Sequence, residues 1–210
     1  MQFEDITFVG DPLARADTTD AATLERVPAD LRMVLAQTNG LVAYRGGFHL
    51  RGAVLQPAWH ALATAWDGAA ALHARYPGVR DSDVPFAQDA FGDQYLLRDG
   101  QVWRLSGELG TLEPQESSLA QFLADVTSNP EGTLQLSPLR YFEAGGGSLT
   151  PGELLSVYPP FVMATDRPEK RSYKAVPAAD RLAFLASLAA QIANLPDGTP
   201  IEFIIRPDDA

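Results

Sequence analysis

The sequence predicts an α+β fold: a mainly antiparallel sheet flanked by helices, with a C-terminal extension of helix and strand. Three observations carry that expectation. Gln94–Leu97 and Gln101–Leu105 are short apolar runs separated by Arg98-Asp99-Gly100. Asp-Gly between such runs signals a hairpin, because glycine accepts the positive φ of the tight turn. Helical periodicities lie in blocks on either side of this hairpin rather than alternating with single strands. Finally, Pro196-Asp197-Gly198 turns the chain into Ile201–Ile205, a closing strand with Ile201, Phe203 and Ile205 on one face.

Composition bounds the rest. A chain of 210 residues buries roughly 70% of its extended surface and needs no covalent staples. The expected organisation is a core domain over residues 1–130, with residues 131–210 packed on it as an extension. Cysteine is absent, which excludes disulfides and thiolate metal sites, and nothing points to secretion. The start, MQFEDITFVGDP, lacks a basic segment followed by a long apolar run. No stretch approaches the ~18 apolar residues of a membrane span. The expected location is the cytoplasm.

The formal net charge is −11. Such a surface repels nucleic-acid phosphate and anionic lipid and favours encounter with a basic protein. Arg167, Lys170, Arg171, Lys174 and Arg181 run against the trend and include both lysines of the chain. They read as a solvated basic loop, or as a contact with the protein's own acidic surface.

In chain order, Ile6–Val9 is a short strand inside a loose lead-in. Val27-Pro28-Ala29-Asp30 opens a helix, with Pro28 suited to the first turn. Leu31, Val34 and Leu35 are its buried face, and Asn39-Gly40 stops it. Strands are expected around Phe48–Leu50 and Ala53–Leu55. Ala58–Tyr76 reads as the longest early helix, with Trp59, Leu62, Trp66, Ala69 or Ala70, and His73 on one face. His49, His60 and His73 lack the spacing of a helical metal site and read as packed or surface side chains.

Ser118-Leu119-Ala120-Gln121 is a capping box opening a helix that buries Leu119, Phe122, Leu123 and Val126. Asn129-Pro130-Glu131-Gly132 closes it, and Leu134–Leu139 reads as a short extended piece. Gly145–Gly147 lacks a phosphate-loop lysine, and Thr150-Pro151-Gly152-Glu153 reads as a second capping box at a helix start. Tyr158-Pro159-Pro160-Phe161 is extended. Val176-Pro177-Ala178 opens a helix to about Asn194, with Leu182, Leu185, Ala189 and Ile192 inward.

The chain has no nucleophile elbow, zincin helix, Walker loop or dinucleotide fingerprint. Its best carboxylate cluster is Asp83, Asp89, Asp93 and Asp99. Paired carboxylates can bind a divalent cation or exchange protons. These straddle turns, where aspartate commonly accepts from nearby backbone N–H groups.

The helix ending in Asn39-Gly40, the Trp-containing segment, Pro85-Phe86-Ala87-Gln88-Asp89 with Phe91-Gly92-Asp93, the hairpin through Val102, Glu108 and the Leu119–Leu123 helix together resemble the SUKH superfamily. The resemblance covers about residues 24–126. That superfamily includes bacterial immunity proteins against polymorphic and contact-dependent toxins, and fungal regulators of cell-wall synthesis. It implies an α+β fold and action by protein binding. Phe86 and Phe91 are then core anchors, Gly92 permits a tight bend, and Asp89 and Asp93 cap loop amides. No catalytic, metal-ligating or cofactor-binding residue is implied, and no cofactor is expected. The expected function is a protein-binding module, an immunity protein whose partner is a basic toxin such as a nuclease. The alternatives are a housekeeping scaffold or regulator of a cellular protein, and a small-molecule or metal-dependent enzyme using Asp89 and Asp93.

Overall fold

A computed structural model describes residues 2–164, 171–196 and 198–200. The expected strand Ile201–Ile205 lies outside them, as do Arg167 and Lys170. The fold is α+β, built on a seven-stranded antiparallel meander in which each strand pairs with the next in sequence. Its strands are β1 (Phe8–Val9), β2 (Leu41–Ala43), β3 (Phe48–Leu50), β4 (Val84–Asp89), β5 (Gln94–Arg98), β6 (Gln101–Leu105) and β7 (Leu112–Pro114). Helices α1 (Ala21–Arg26) and α2 (Ala29–Gln37) lie between β1 and β2. Helices α3 (Leu62–Trp66) and α4 (Leu72–Arg75) lie between β3 and β4.

Both faces of the sheet centre are covered. In β5, Tyr95 and Leu97 enter the large core with Phe48, Phe86 and Phe122, while Leu96 enters a second cluster with Leu72, Tyr76 and Ala186. Alternate residues of a strand point to opposite faces, so β4 and most of β5 are buried without a break. That is why their sequence reads as near-continuous apolar runs rather than as strict alternation.

The β5–β6 hairpin turns through Asp99 (φ 52°) and Gly100 (φ 79°). Both angles are positive, as a turn matched to strand twist requires. A Cβ at Gly100 would meet nothing within 4 Å, so Gly100→Ala isolates the backbone cost. It should destabilise the protein by about 1 kcal/mol in urea titration; an unchanged midpoint would remove the turn from any role in register.

After β7 come α5 (Leu119–Ser128), α6 (Pro130–Leu134) and α7 (Ser137–Ala144). A small hairpin of β8 (Glu153–Tyr158) and β9 (Ser172–Pro177) follows, then α8 (Ala178–Ile192). Leu134, Leu139, Leu149, Leu155 and Val157 belong to the same apolar core as Phe48 and Leu50. Leu155 N–H also donates to Ala90 O at 2.7 Å. The described part of the extension thus shares its core with residues 1–130.

Several expectations are corrected. Ala58–Tyr76 is not one helix: the chain breaks at Asp67–Ala71, Gly68 has φ 76°, and Ala69 and Ala70 are exposed. The glycine ends the first helix, and Trp59 precedes its start at Leu62, so Trp59 and Trp66 do not share a helical face. Ala53–Leu55 forms no strand, only an isolated bridge from Val54 to Thr19. Leu134–Leu139 is helical at both ends rather than extended, with the change of direction taken by Gln135 at φ 53°. Glu153 accepts from Thr150 N–H at 2.8 Å as a capping box would, yet a strand follows because Leu154, Leu155 and Val157 pair with β9 and bury apolar surface. Ser118 caps α5 through Gln121 N–H, but the Gln121 side chain turns to Asp125 instead of back. Helix α1 and strand β7 carried no recognised sequence signal.

Candidate functional site

The corner between β4 and β5 is built on Asp89. Its Oδ1 accepts from the backbone N–H groups of Phe91, Gly92 and Asp93 at 2.9, 3.0 and 3.0 Å. The peptide closes over it with Asp89 N–H donating to Asp93 O at 3.1 Å. Gly92 sits at φ 99°, and an added Cβ would run into Leu185 of α8. The glycine therefore serves both the bend and the close approach of that helix. Phe86 is fully buried, and Phe91 packs edge-to-face on Phe161 with centroids 5.5 Å apart.

Asp89 is 1% exposed. Burial pushes its carboxyl up to about 8, and the neighbouring Asp93 adds to the shift. Arg104 and the amides oppose it, since donors to a carboxylate favour the charged form. Asp93 is spent differently. Its Oδ2 accepts from Arg104 Nε and Nη2 at 3.0 and 2.6 Å, and its Oδ1 from Gly107 N–H at 2.8 Å.

A cleft of about 570 Å³ opens beside this corner. Phe91, Asp93, Arg104, Glu108, Phe161 and Arg181 contribute to its wall. Glu108 ties three segments together: Oε2 accepts from Val162 N–H at 2.8 Å, and Oε1 faces Arg181 Nη2 at 3.3 Å. Arg181 also donates from Nε to Phe91 O at 3.2 Å, leaving Nη1 buried without an acceptor among the described residues. The two arginines of the cleft thus each face a carboxylate of the same wall.

The four-aspartate cluster does not converge. Asp83 holds Arg98 in a bidentate pair at 2.9 and 2.6 Å, and Asp99 meets Arg80 in an exposed pair. Among the described residues no three His, Asp or Glu side chains gather where they could hold a metal ion. The described members of the basic cluster disperse too. Arg181 is buried on Glu108, Arg171 donates to the carbonyls of Pro159 and Met163, and Lys174 is exposed.

A buried polar chain across β3 and β4 escaped the sequence reading. Arg51 Nη1 donates to the carbonyls of Pro85 and Ala87, and Nη2 to Gln88 Oε1 and Gln94 Oε1, both at 2.6 Å. Gln88 Nε2 faces His49 Nδ1 at 3.2 Å, His49 Nε2 faces His60 Nδ1 at 2.9 Å, and His60 Nε2 faces Asn39 O at 3.0 Å. A carbonyl only accepts, so His60 carries its proton on Nε2. His60 Nδ1 then accepts from His49 Nε2, and His49 Nδ1 accepts from Gln88. Both rings are neutral in this chain. Burial lowers His60 to about 4 and holds His49 well below its usual value, with the Arg51 charge acting in the same direction. Three histidines dispersed in sequence gave no metal or catalytic spacing. The available signal was His49 and Arg51, two residues apart and therefore on one side of an extended segment, interrupting an apolar run.

No protein-family model matches the chain, and no curated protein matches it.

Proposed function

We propose that the protein is a non-catalytic protein-binding module of SUKH type, acting as an immunity protein that neutralises a cognate toxin in the cytoplasm. The observation that carries this reading is the use made of the signature carboxylates. Asp89 gives one oxygen to three backbone amides, and Asp93 is consumed by Arg104 and Gly107. A general acid, base or metal ligand needs a carboxylate that reaches a substrate or ion; these two brace a corner. The resemblance over residues 24–126 supplies the partner class, and the net charge of −11 suits steering toward a basic toxin such as a nuclease.

Co-expression with the toxin encoded beside it tests the proposal. The expected outcome is a stable complex and rescue of growth, with association rates that fall as salt rises. Neither complex nor protection would overturn the immunity reading. A partner of cellular origin, bound without any neighbouring toxin, would put a scaffold or regulator in its place.

A further inference from the structure

A cavity of about 150 Å³ lies between α3, α4 and the first turns of α8, with the end of β3 and part of β4 at its base. Most of its wall is small and apolar, including Ala61, Ala65, Ala178 and Leu182, with the Trp59 ring at one side. Two arginines, Arg51 and Arg75, line it and among the described residues no carboxylate does, in a chain whose acidic residues outnumber its lysines and arginines 27 to 16.

Arg51 is 2% exposed, and all four of its Nη contacts are to neutral oxygens. Among the described residues no carboxylate pairs with the side chain. A guanidinium keeps its proton at neutral pH. Buried charges are ordinarily paired, because an isolated one forfeits its hydration with nothing in return. Two other deeply buried ionic groups have their partners, Asp83 with Arg98 and Arg181 with Glu108, while the buried Asp89 is held by backbone amides. Among the described residues Arg51 is a cation without a counter-ion, and it forms part of the wall of an apolar cavity.

We propose that this cavity is a binding site for a small organic monocarboxylate, whose carboxylate meets Arg51 and whose apolar body lies among the alanines and Trp59. An engineered apolar cavity of about this volume in another protein accommodates benzene, so the body is an aryl ring or a short branched chain. Neither a long acyl tail nor a nucleotide fits. Arg75, half-buried in the same wall, adds a second positive charge to steer the anion inward. The Gln88 amide joins Arg51 to His49, so the occupied site would touch the buried polar chain directly. Its test uses no protein partner, so its outcome is read separately from that of the co-expression test.

Titration of the purified full chain at neutral pH with benzoate, benzamide and inorganic phosphate tests it, read by calorimetry and by the Trp59 indole N–H resonance. Benzoate should bind one-to-one and saturably in the millimolar range or tighter, shifting that resonance. Benzamide, which keeps shape and loses charge, should bind at least tenfold more weakly, and phosphate should not move the indole signal. Ala65→Leu, which fills the cavity without touching Arg51, should abolish benzoate binding. Equal binding of benzamide and benzoate overturns the role of Arg51, and phosphate matching benzoate overturns the role of the apolar walls. Absence of benzoate binding, or binding that persists in a folded Ala65→Leu protein, overturns the site. The comparison of ligands on the unaltered chain stands even if that variant fails to fold.

Discussion

Replacing Asp89 with alanine should cost the fold about 3–5 kcal/mol, whereas asparagine should cost less than about 1.5 kcal/mol. The difference follows from one oxygen. Asp89 Oδ1 accepts three amide N–H groups at the corner, all within 3.0 Å. Alanine strands those donors beside Phe91 and Gly92, where a buried, unsatisfied amide costs about 1–3 kcal/mol. Some relaxation of the loop keeps the total below the sum of three. Asparagine retains an acceptor at the same place and removes a carboxyl that burial has already pushed up to about 8. Urea unfolding of both variants gives the energies, and hydrogen exchange at Phe91, Gly92 and Asp93 shows whether the amides open. In co-expression with the toxin, Asp89→Asn should protect as well as the unaltered chain. Loss of protection by a stable Asp89→Asn protein would mean that the carboxylate itself acts on a partner or ligand, and the scaffold reading of this corner would fall.

The second large effect is acid lability from His49 and His60. Both are neutral in the folded chain, with His60 lowered to about 4 and His49 lowered well below 6.5. Below about pH 6.5 the unfolded chain takes up protons at these positions while the native chain does not. Stability therefore falls as pH drops through the window from 6.5 toward 4. For His60 alone the loss approaches about 3 kcal/mol at the lower edge, and the limiting slope for two histidines is about 2.7 kcal/mol per pH unit.

Asp89 works in the opposite sense. Its folded value is raised from 3.8 to about 8. Its contribution is thus fully present below 3.8 and is lost as pH rises through 8. The unaltered protein should accordingly show a shallow profile over the acidic range, where one raised carboxyl offsets part of two depressed imidazoles. Asp89→Asn removes the offset, and its stability should fall more steeply on acidification. Urea titrations of both proteins between about pH 7.5 and 4.5 provide the comparison. Parallel profiles would show that the Asp89 carboxyl is not displaced from its ordinary titration, and a flat profile for Asp89→Asn would show the same of the imidazoles.

Local signals in the sequence identified the parts whose structure is determined by neighbours along the chain. The Asp99-Gly100 turn forms its hairpin, Leu31, Val34 and Leu35 face inward from α2, and Ser118 caps α5. In each case steric or hydrogen-bonding preferences act within four residues, and these survive any tertiary context that does not oppose them. The same holds for the expectation that Asp89 would accept from loop amides, because its partners are two to four residues away.

What required the tertiary structure was every feature whose partners are distant. Asp93 finds Arg104 across a hairpin, Glu108 finds Arg181 across 73 residues, and His49 finds Gln88 across the sheet. Thr150 through Glu153 makes a capping hydrogen bond and still enters a strand, because pairing with β9 decides the backbone after it. Sequence alone determined the α+β class, the hairpin and the acceptance of loop amides by Asp89. Only the folded chain decided that Arg51, one arginine in an apolar run, would be buried against a cavity with no carboxylate among the described residues to meet it. The cost of an unpaired charge is set by what surrounds it in space, and no spacing along the chain records that.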